Sequence, residues 1–146
     1  MDFWFSPQED KFRQEVRSFL DEERRNGTYQ PANYTFMESY SPHFTRRLVE
    51  KGWIGLAWPR ECGGAGRSFV EQLILTEELM LAGAPVSCHW LAERQVGPAI
   101  IASGTLQQKQ TFLPRILKGE LTFCMCLAEP GAGSDLACLQ TQAKEN

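Results

Sequence analysis

The chain has 146 residues, a length that fits one domain large enough to bury a core. Its composition is that of an ordinary globular protein, with 42% apolar and 23% charged residues, and no run reaches the ~18–20 apolar residues that a membrane span requires. The net charge of -3 and the dispersed basic residues argue against a nucleic-acid-binding protein.

The amino terminus and the cysteines indicate a reducing compartment. The opening MDFWFSPQED lacks the basic start and cleavage site of a signal peptide and is too acidic for a transit peptide. The cysteines are odd in number and form no CxxC pair, so we expect reduced thiols in a cytoplasmic protein. Cys88 beside His89, and Cys124 with Cys126, do not complete a zinc set. We interpret these cysteines as buried and structural, and we expect no metal.

The first predicted helix begins at Ser6, which forms an S-x-x-E capping box with Glu9, and it ends near Gly27. Its apolar residues recur at helical spacing and predict one buried stripe: Phe12, Val16, Phe19 and Leu20. Residues 28–40 are rich in Tyr, Pro and Asn, and we expect a loop there.

Two further helices are predicted on either side of an apolar connector. The second helix covers 41–52 and is expected to turn three residues inward: Phe44, Leu48 and Val49. The connector WIGLAWP (53–59) is too short and too rich in Gly and Pro to be helical. The third helix opens with a capping box of Ser68 and Glu71 and ends at Gly83.

The next helical segment is more apolar. A helix is predicted over 87–103; it is apolar on nearly every face and is interrupted by Pro98, so we expect a kinked helix surrounded by others. Thr105 and Gln108 form a third capping box, and the helix that they begin is expected to weaken at Pro114. The predicted fold of this part is a mainly α bundle of five or six helices.

The pattern changes near residue 120. LTFCMCLA (121–128) is an unbroken β-prone apolar run without a helix cap, and it predicts a buried strand. EPGAGSD (129–135) predicts a turn, and 136–143 reads as the start of a second strand. We therefore expect a helical domain over 1–119 and, over 120–146, the beginning of a truncated β-domain with a short hairpin or strand start.

The predicted turn has features of a ligand-binding loop. Gly131 and Gly133 remove side chains beside backbone N–H groups, which can then converge on an anion, and Ser134 adds a hydroxyl. Glu129, Pro130 and Asp135 bracket the loop and are expected to fix its shape, the two carboxylates through hydrogen bonds to the backbone. On this pattern alone, a ligand-binding loop and a plain tight turn remain equally open.

The phrase AEPGAGSDLACLQTQA resembles the [TS]-E-P-G-A-G-S-D segment of the acyl-CoA dehydrogenase family. The similarity covers nearly the whole chain, in the segments PQEDKFRQEVRSFL, KGWIGLAWPRECGGAGRS, EQLILTEELMLAGAP and GPAIIASGTLQQKQTFLPRILKGEL. The resemblance implies three domains, of which this chain would supply the amino-terminal helical domain and the opening of the central β-domain.

The resemblance also implies a reaction. Family members hold FAD and an acyl-CoA thioester between their domains, remove an α-proton with a carboxylate and transfer the β-hydride to flavin N5. By this resemblance the catalytic base lies beyond residue 146, an electron-transfer partner accepts the electrons, and the full-length protein is a homo-oligomer of fatty acid metabolism. The chain alone is then expected to bind FAD weakly or not at all.

The resemblance places cofactor contacts at ten consecutive positions: Met125, Cys126, Leu127, Ala128, Glu129, Pro130, Gly131, Ala132, Gly133 and Ser134. Ser134 would also contact the coenzyme A part of the substrate, and the helix over 90–97 would wall the acyl pocket. Ala128 stands where the family has Thr or Ser, so one hydroxyl that bonds the flavin is missing.

No acid or histidine of the chain is expected to replace the distant base. Glu77, Glu78 and Glu93 are interpreted as solvated helix faces, and His43 and His89 as surface or core residues. The competing hypothesis is a non-catalytic helical interaction module, or a degenerate fragment, that pairs with a full-length paralogue through exposed apolar faces.

Overall fold

The computed structural model describes residues 4–33 and 39–144. Within these ranges the chain forms five α-helices: α1 (Pro7–Arg25), α2 (Pro42–Glu50), α3 (Phe69–Leu81), α4 (Gly97–Ser103) and α5 (Leu106–Leu117). A π-helical turn, Ala92–Val96, leads directly into α4, and short 3-10 turns cover Arg60–Cys62 and Leu136–Cys138. The prediction of a mainly α fold is confirmed, and part of the predicted 28–40 loop lies outside the described residues.

The predicted capping boxes are present at the start of three helices. Ser6 begins α1, where its backbone N–H donates to the Glu9 carboxylate at 2.6 Å while the Glu9 N–H donates back to the Ser6 hydroxyl. Ser68 with Glu71 does the same for α3, and Thr105 with Gln108 for α5. Each box satisfies two backbone donors that the first helical turn leaves unpaired.

The larger core cluster joins the inner faces of α1, α2 and α3 to the connector. Phe19 of α1 packs edge-on against Trp53, with ring centroids 5.0 Å apart, and Phe44 of α2 lies beside Phe19. Ile74 of α3 is fully buried in the same cluster. The inward direction predicted for Phe44 is therefore confirmed, whereas the outer side of α3 exposes Leu73.

An ion-pair network ties α1 to α3. Glu78 is 4% exposed and accepts from Arg13 Nη1 at 2.6 Å and Arg17 Nε at 2.8 Å. Burial by itself would raise the pKa of Glu78, yet the two guanidinium groups lower it overall. The prediction that Glu78 lies on a solvated face is wrong, because the packing of α1 on α3 covers it; Glu77, which also pairs with Arg13, stays partly exposed.

A smaller core cluster lies under α4 and α5. Trp58 of the connector packs with three buried residues of the later segments: Ala92, Leu113 and Ile116. Leu121 and Phe123 pack against this cluster from beyond α5. The helix α5 continues past Pro114 to Leu117, so the expected weakening at the proline does not occur.

Two expectations about burial are corrected. Residues 121–128 are not in a paired strand, and from Cys124 to Ala128 they are exposed, because the described part of the chain offers no neighbouring strand. Cys124, Cys126 and Cys138 are consequently exposed, and only Cys88 is buried, where burial raises the pKa of its thiol. The helix predicted over 87–103 also exposes much of its α4 portion instead of being surrounded.

Candidate functional site

A surface groove of about 380 Å³ runs beside the π-helical turn and α4. Its lining is mainly apolar with a few amide and hydroxyl groups: Gln95, Val96, Ala99, Ile100, Ser103, Gly104, Gln108, Phe112 and Met125. The groove thus brings together residues of two segments. Gln95 and Val96 belong to the helix that the resemblance assigns to the acyl pocket, and Met125 is the first residue of the segment that it assigns to the flavin. An apolar cleft with a few polar groups suits a ligand of mixed character.

The position of Met125 follows from the smaller core. The Phe123 ring packs edge-on against Phe112, with centroids 6.4 Å apart, and this contact holds the segment that leaves α5 against the groove. Beyond this anchor, the backbone N–H groups of 125–128 have no hydrogen-bond acceptor within the described residues. The segment therefore carries four backbone donors that no described residue bonds, and its first residue, Met125, lies at the groove.

The turn after this segment is closed by its own backbone. The Glu129 N–H donates to the Ala132 carbonyl at 2.9 Å, and the Ala132 N–H donates back at 3.0 Å. The Glu129 carboxylate accepts from the Gln140 and Thr141 N–H groups at 2.9 and 2.8 Å and from the Thr141 hydroxyl. These bonds, the hydroxyl one first, lower the pKa of Glu129. Glu129 thus holds 140–141 against the turn, as expected of a residue that shapes the loop.

The outer face of the turn is open. A Cβ atom built on Gly131 or Gly133 would meet no heavy atom of the described chain within 4 Å, so packing within the chain does not require glycine there. The Ser134 hydroxyl makes no hydrogen bond to a described residue. Asp135 accepts from the Ala137 N–H at 3.2 Å and starts the following 3-10 turn. The turn is shaped at its two ends and free at its tip.

The π-helical turn carries a buried carboxylate on the side of the connector. Glu93 is 2% exposed, and it accepts from the Gly55 N–H at 3.2 Å and from Arg94 Nε at 3.1 Å. Burial raises the pKa of Glu93, although Arg94 and the backbone donors act in the opposite direction. The interpretation of Glu93 as a solvated residue is therefore wrong, because the connector covers it. The sequence signalled only the Gly97-Pro98 break, not the burial.

The two histidines have different surroundings. His43 is exposed on α2, whereas His89 is 2% exposed and its Nδ1 lies 3.0 Å from the Thr45 hydroxyl. Burial, helped by the charge of Arg94, lowers the pKa of His89 to about 3. The surface position of His43 and the core position of His89 agree with the prediction that the histidines are surface or core residues. The described residues contain no cluster of three potential metal ligands, and no helix among them is long and apolar enough to cross a membrane.

Comparison with known proteins identifies the family. Residues 6–120 match the family described as acyl-CoA dehydrogenase, N-terminal domain. The chain belongs to the acyl-CoA dehydrogenase family. The acyl-CoA dehydrogenase FadE26 of Mycobacterium tuberculosis is 41% identical over 143 residues, which is 95% of this chain and 35% of that protein.

Solved structures of acyl-CoA dehydrogenases have the same fold over the whole chain. The ChsE4-ChsE5 complex from Mycobacterium tuberculosis matches with a TM-score of 0.80 at 39% identity, and the Tcur3481-Tcur3483 steroid ACAD with 0.82 at 35%. Both comparisons cover 100% of this chain but only 36% and 38% of the matched chains. The chain therefore spans about a third of the length of the relatives that it matches.

Proposed function

We propose that this chain is the amino-terminal portion of an FAD-dependent acyl-CoA dehydrogenase that oxidises an acyl-CoA thioester to its α,β-unsaturated product. The groove is the observation that carries the proposal. In this chain, which belongs to the family, Met125 lines the groove together with Gln95 and Val96. We assign residues 1–119 to the helical domain and residues 120–146 to the beginning of a β-domain. In the complete β-domain, residues 121–128 pair with neighbouring strands.

The segment 125–134 fits a flavin at its edge. Its first four backbone N–H groups are free within the described chain, and the flavin ring carries acceptor atoms that such donors can bond. FAD supplies the hydride acceptor when bound; the chain supplies the donors and the open glycine tip. Ser134 is assigned to the coenzyme A part of the substrate because its hydroxyl is unbonded and exposed. Glu129 contributes through its backbone, since its carboxylate holds 140–141.

The residues 90–97 are assigned to the acyl wall. Gln95 and Val96 face the groove, while Glu93 and Arg94 are held on the side of the connector. No carboxylate among the described residues lines the groove, and we assign the catalytic base to a part of the enzyme outside this chain. The steroid named for the Tcur3481-Tcur3483 protein suggests a substrate whose acyl group carries a ring system, and the groove has the amides of Gln95 and Gln108 for a polar substituent.

An assembly of two different acyl-CoA dehydrogenase subunits is a further part of the proposal. The two solved relatives are named as pairs of different proteins, which favours such an assembly over the homo-oligomer that the family resemblance implies. The apolar side chains that α3 exposes, Phe69 and Leu73, offer a surface for it. We place the assembled protein in the cytoplasm, with a separate electron acceptor.

Nuclear magnetic resonance on the ¹⁵N-labelled chain tests the flavin assignment. Without the remaining domains, FAD is expected to bind weakly, with a Kd on the order of 1 mM, or about 4 kcal/mol of binding free energy. Shifts of the 125–128 and 131–134 amides during titration with FAD would support the assignment, and AMP, which lacks the flavin ring, should leave 125–128 unmoved. Shifts confined to other segments would contradict it.

A further inference from the structure

The wall of the groove contains one residue more than a regular helix would hold. In the π-helical turn the Gly97 N–H donates to the Ala92 carbonyl, five residues back, instead of to Glu93, four residues back. Such a turn rotates the residues before it by about 100° relative to a continuous α-helix. The direction of Gln95 and Val96 relative to α4 therefore depends on whether this turn persists.

The carbonyl released by the π-helical turn is bonded by Trp58. The Trp58 indole N–H donates to the Glu93 carbonyl at 3.0 Å, and both residues are buried. In a regular helix the Gly97 N–H would donate to this carbonyl and the buried indole would have to share it as a second donor, whereas in the π register Pro98, which lacks an N–H, leaves the carbonyl to Trp58 alone. One donor from the connector thus favours the π register over the α register.

Two further contacts act on the same turn. A Cβ atom on Gly97 would lie 2.0 Å from Trp58 Cζ2, so only glycine lets the indole ring reach this site. The Gly55 N–H donates to the Glu93 carboxylate at 3.2 Å and ties the other end of the connector to the turn. The connector lies far from Glu93 and Gly97 in sequence, yet it contacts both residues at this turn.

We propose that Trp58 is the positioning residue that holds the π register, and through it the orientation of Gln95 and Val96 in the groove wall. Trp58 is not among the residues that line this groove; it acts through the backbone carbonyl of Glu93. Its effect on acyl-CoA binding rests on the proposed function, whereas its effect on the turn does not.

Couplings across hydrogen bonds test the register directly. In the ¹⁵N,¹³C-labelled full chain, the Gly97 nitrogen should couple to the Ala92 carbonyl, and the Trp58 indole nitrogen to the Glu93 carbonyl. In Trp58→Phe the Gly97 coupling should move to Glu93. Trp53→Phe, the same change at another buried tryptophan, should keep the Ala92 coupling. An unchanged Gly97 coupling in Trp58→Phe, or no indole coupling in the unaltered chain, would overturn the proposal; the second measurement needs no variant.

Octanoyl-CoA is the probe for the groove wall. Titration followed at the Gln95 and Val96 amides should give an affinity about tenfold weaker in Trp58→Phe, because these two lining residues turn relative to α4, and unchanged in Trp53→Phe. Equal affinities in the two variants would overturn the link between Trp58 and acyl-CoA binding at the groove wall. If the unaltered chain shows no response to octanoyl-CoA at these amides, the assignment of the acyl wall fails, while the couplings still decide the role of Trp58.

Discussion

The buried histidine gives a pH dependence of stability that can be isolated by one substitution. His89 is neutral in the folded chain, with a pKa lowered to about 3, whereas an exposed histidine has 6.5. The unfolded chain therefore binds more protons between these values, and the stabilisation from a neutral His89 is lost as the pH falls below about 6.5. At about 1.36 kcal/mol per unit, and allowing for partial titration at the upper end, the loss from pH 7 to pH 5 is about 2 kcal/mol.

His89→Gln removes this titration while keeping an oxygen that can accept from the Thr45 hydroxyl. The free energy of unfolding is measured with urea from pH 7 to pH 5, with tryptophan fluorescence as the signal. The unaltered chain should lose about 2 kcal/mol more than His89→Gln over this range. His43→Gln, the same change at an exposed histidine, should behave like the unaltered chain.

The comparison cancels other groups that titrate. Glu93, whose pKa is raised by burial, favours the folded state more at lower pH, which is the opposite sign, but it is present in every variant. Equal losses for His89→Gln and the unaltered chain would refute the reasoning, because they would show that His89 is accessible to protons in the folded state.

Three further predictions concern the ion pairs, the anchor and the flavin segment. Glu78→Gln should lower the free energy of unfolding, measured with urea, by about 3 kcal/mol, because it leaves two guanidinium groups without their buried carboxylate. Glu77→Gln, at a partly exposed position, should lower it by less than about 1 kcal/mol, and equal losses in the two variants would contradict the role of Glu78. Phe123→Ala should cost about 1–2 kcal/mol and make 124–128 more rapidly cleaved by protease, with unchanged cleavage rates contradicting its role as anchor. Ala128→Thr should tighten FAD binding by up to about tenfold, one hydroxyl hydrogen bond, in the same titration; an unchanged Kd would contradict the assignment.

The features predicted correctly from the sequence are those with local causes. The capping boxes at Ser6, Ser68 and Thr105 depend on residues three positions apart, so the starts of three helices could be read without knowledge of the fold. The inward stripe of α1 follows equally from spacing, since Phe12 and Val16 lie one turn apart.

The features that were missed depend on distant partners. Glu78 and Glu93 look like solvated helix residues until α1 and the connector cover them, and the carbonyl that the π-helical turn releases is bonded by the distant Trp58. The β-prone run 121–128 was expected to be buried, but a strand is buried by neighbouring strands that the described residues do not provide. The groove at Met125 could not be predicted because its shape depends on the packing of Phe123 on Phe112.

In the most direct test of the proposed function, this chain replaces the matching part of a relative. In FadE26, the 143 residues that match are replaced by those of this chain, and the chimaera is produced beside unaltered FadE26 under the same conditions. We predict that the folded chimaera carries about one flavin, with an absorption band near ~450 nm that an acyl-CoA substrate of FadE26 bleaches in the absence of oxygen. A folded chimaera that holds no flavin, or whose band the acyl-CoA leaves unchanged while that of FadE26 disappears, would contradict the proposal.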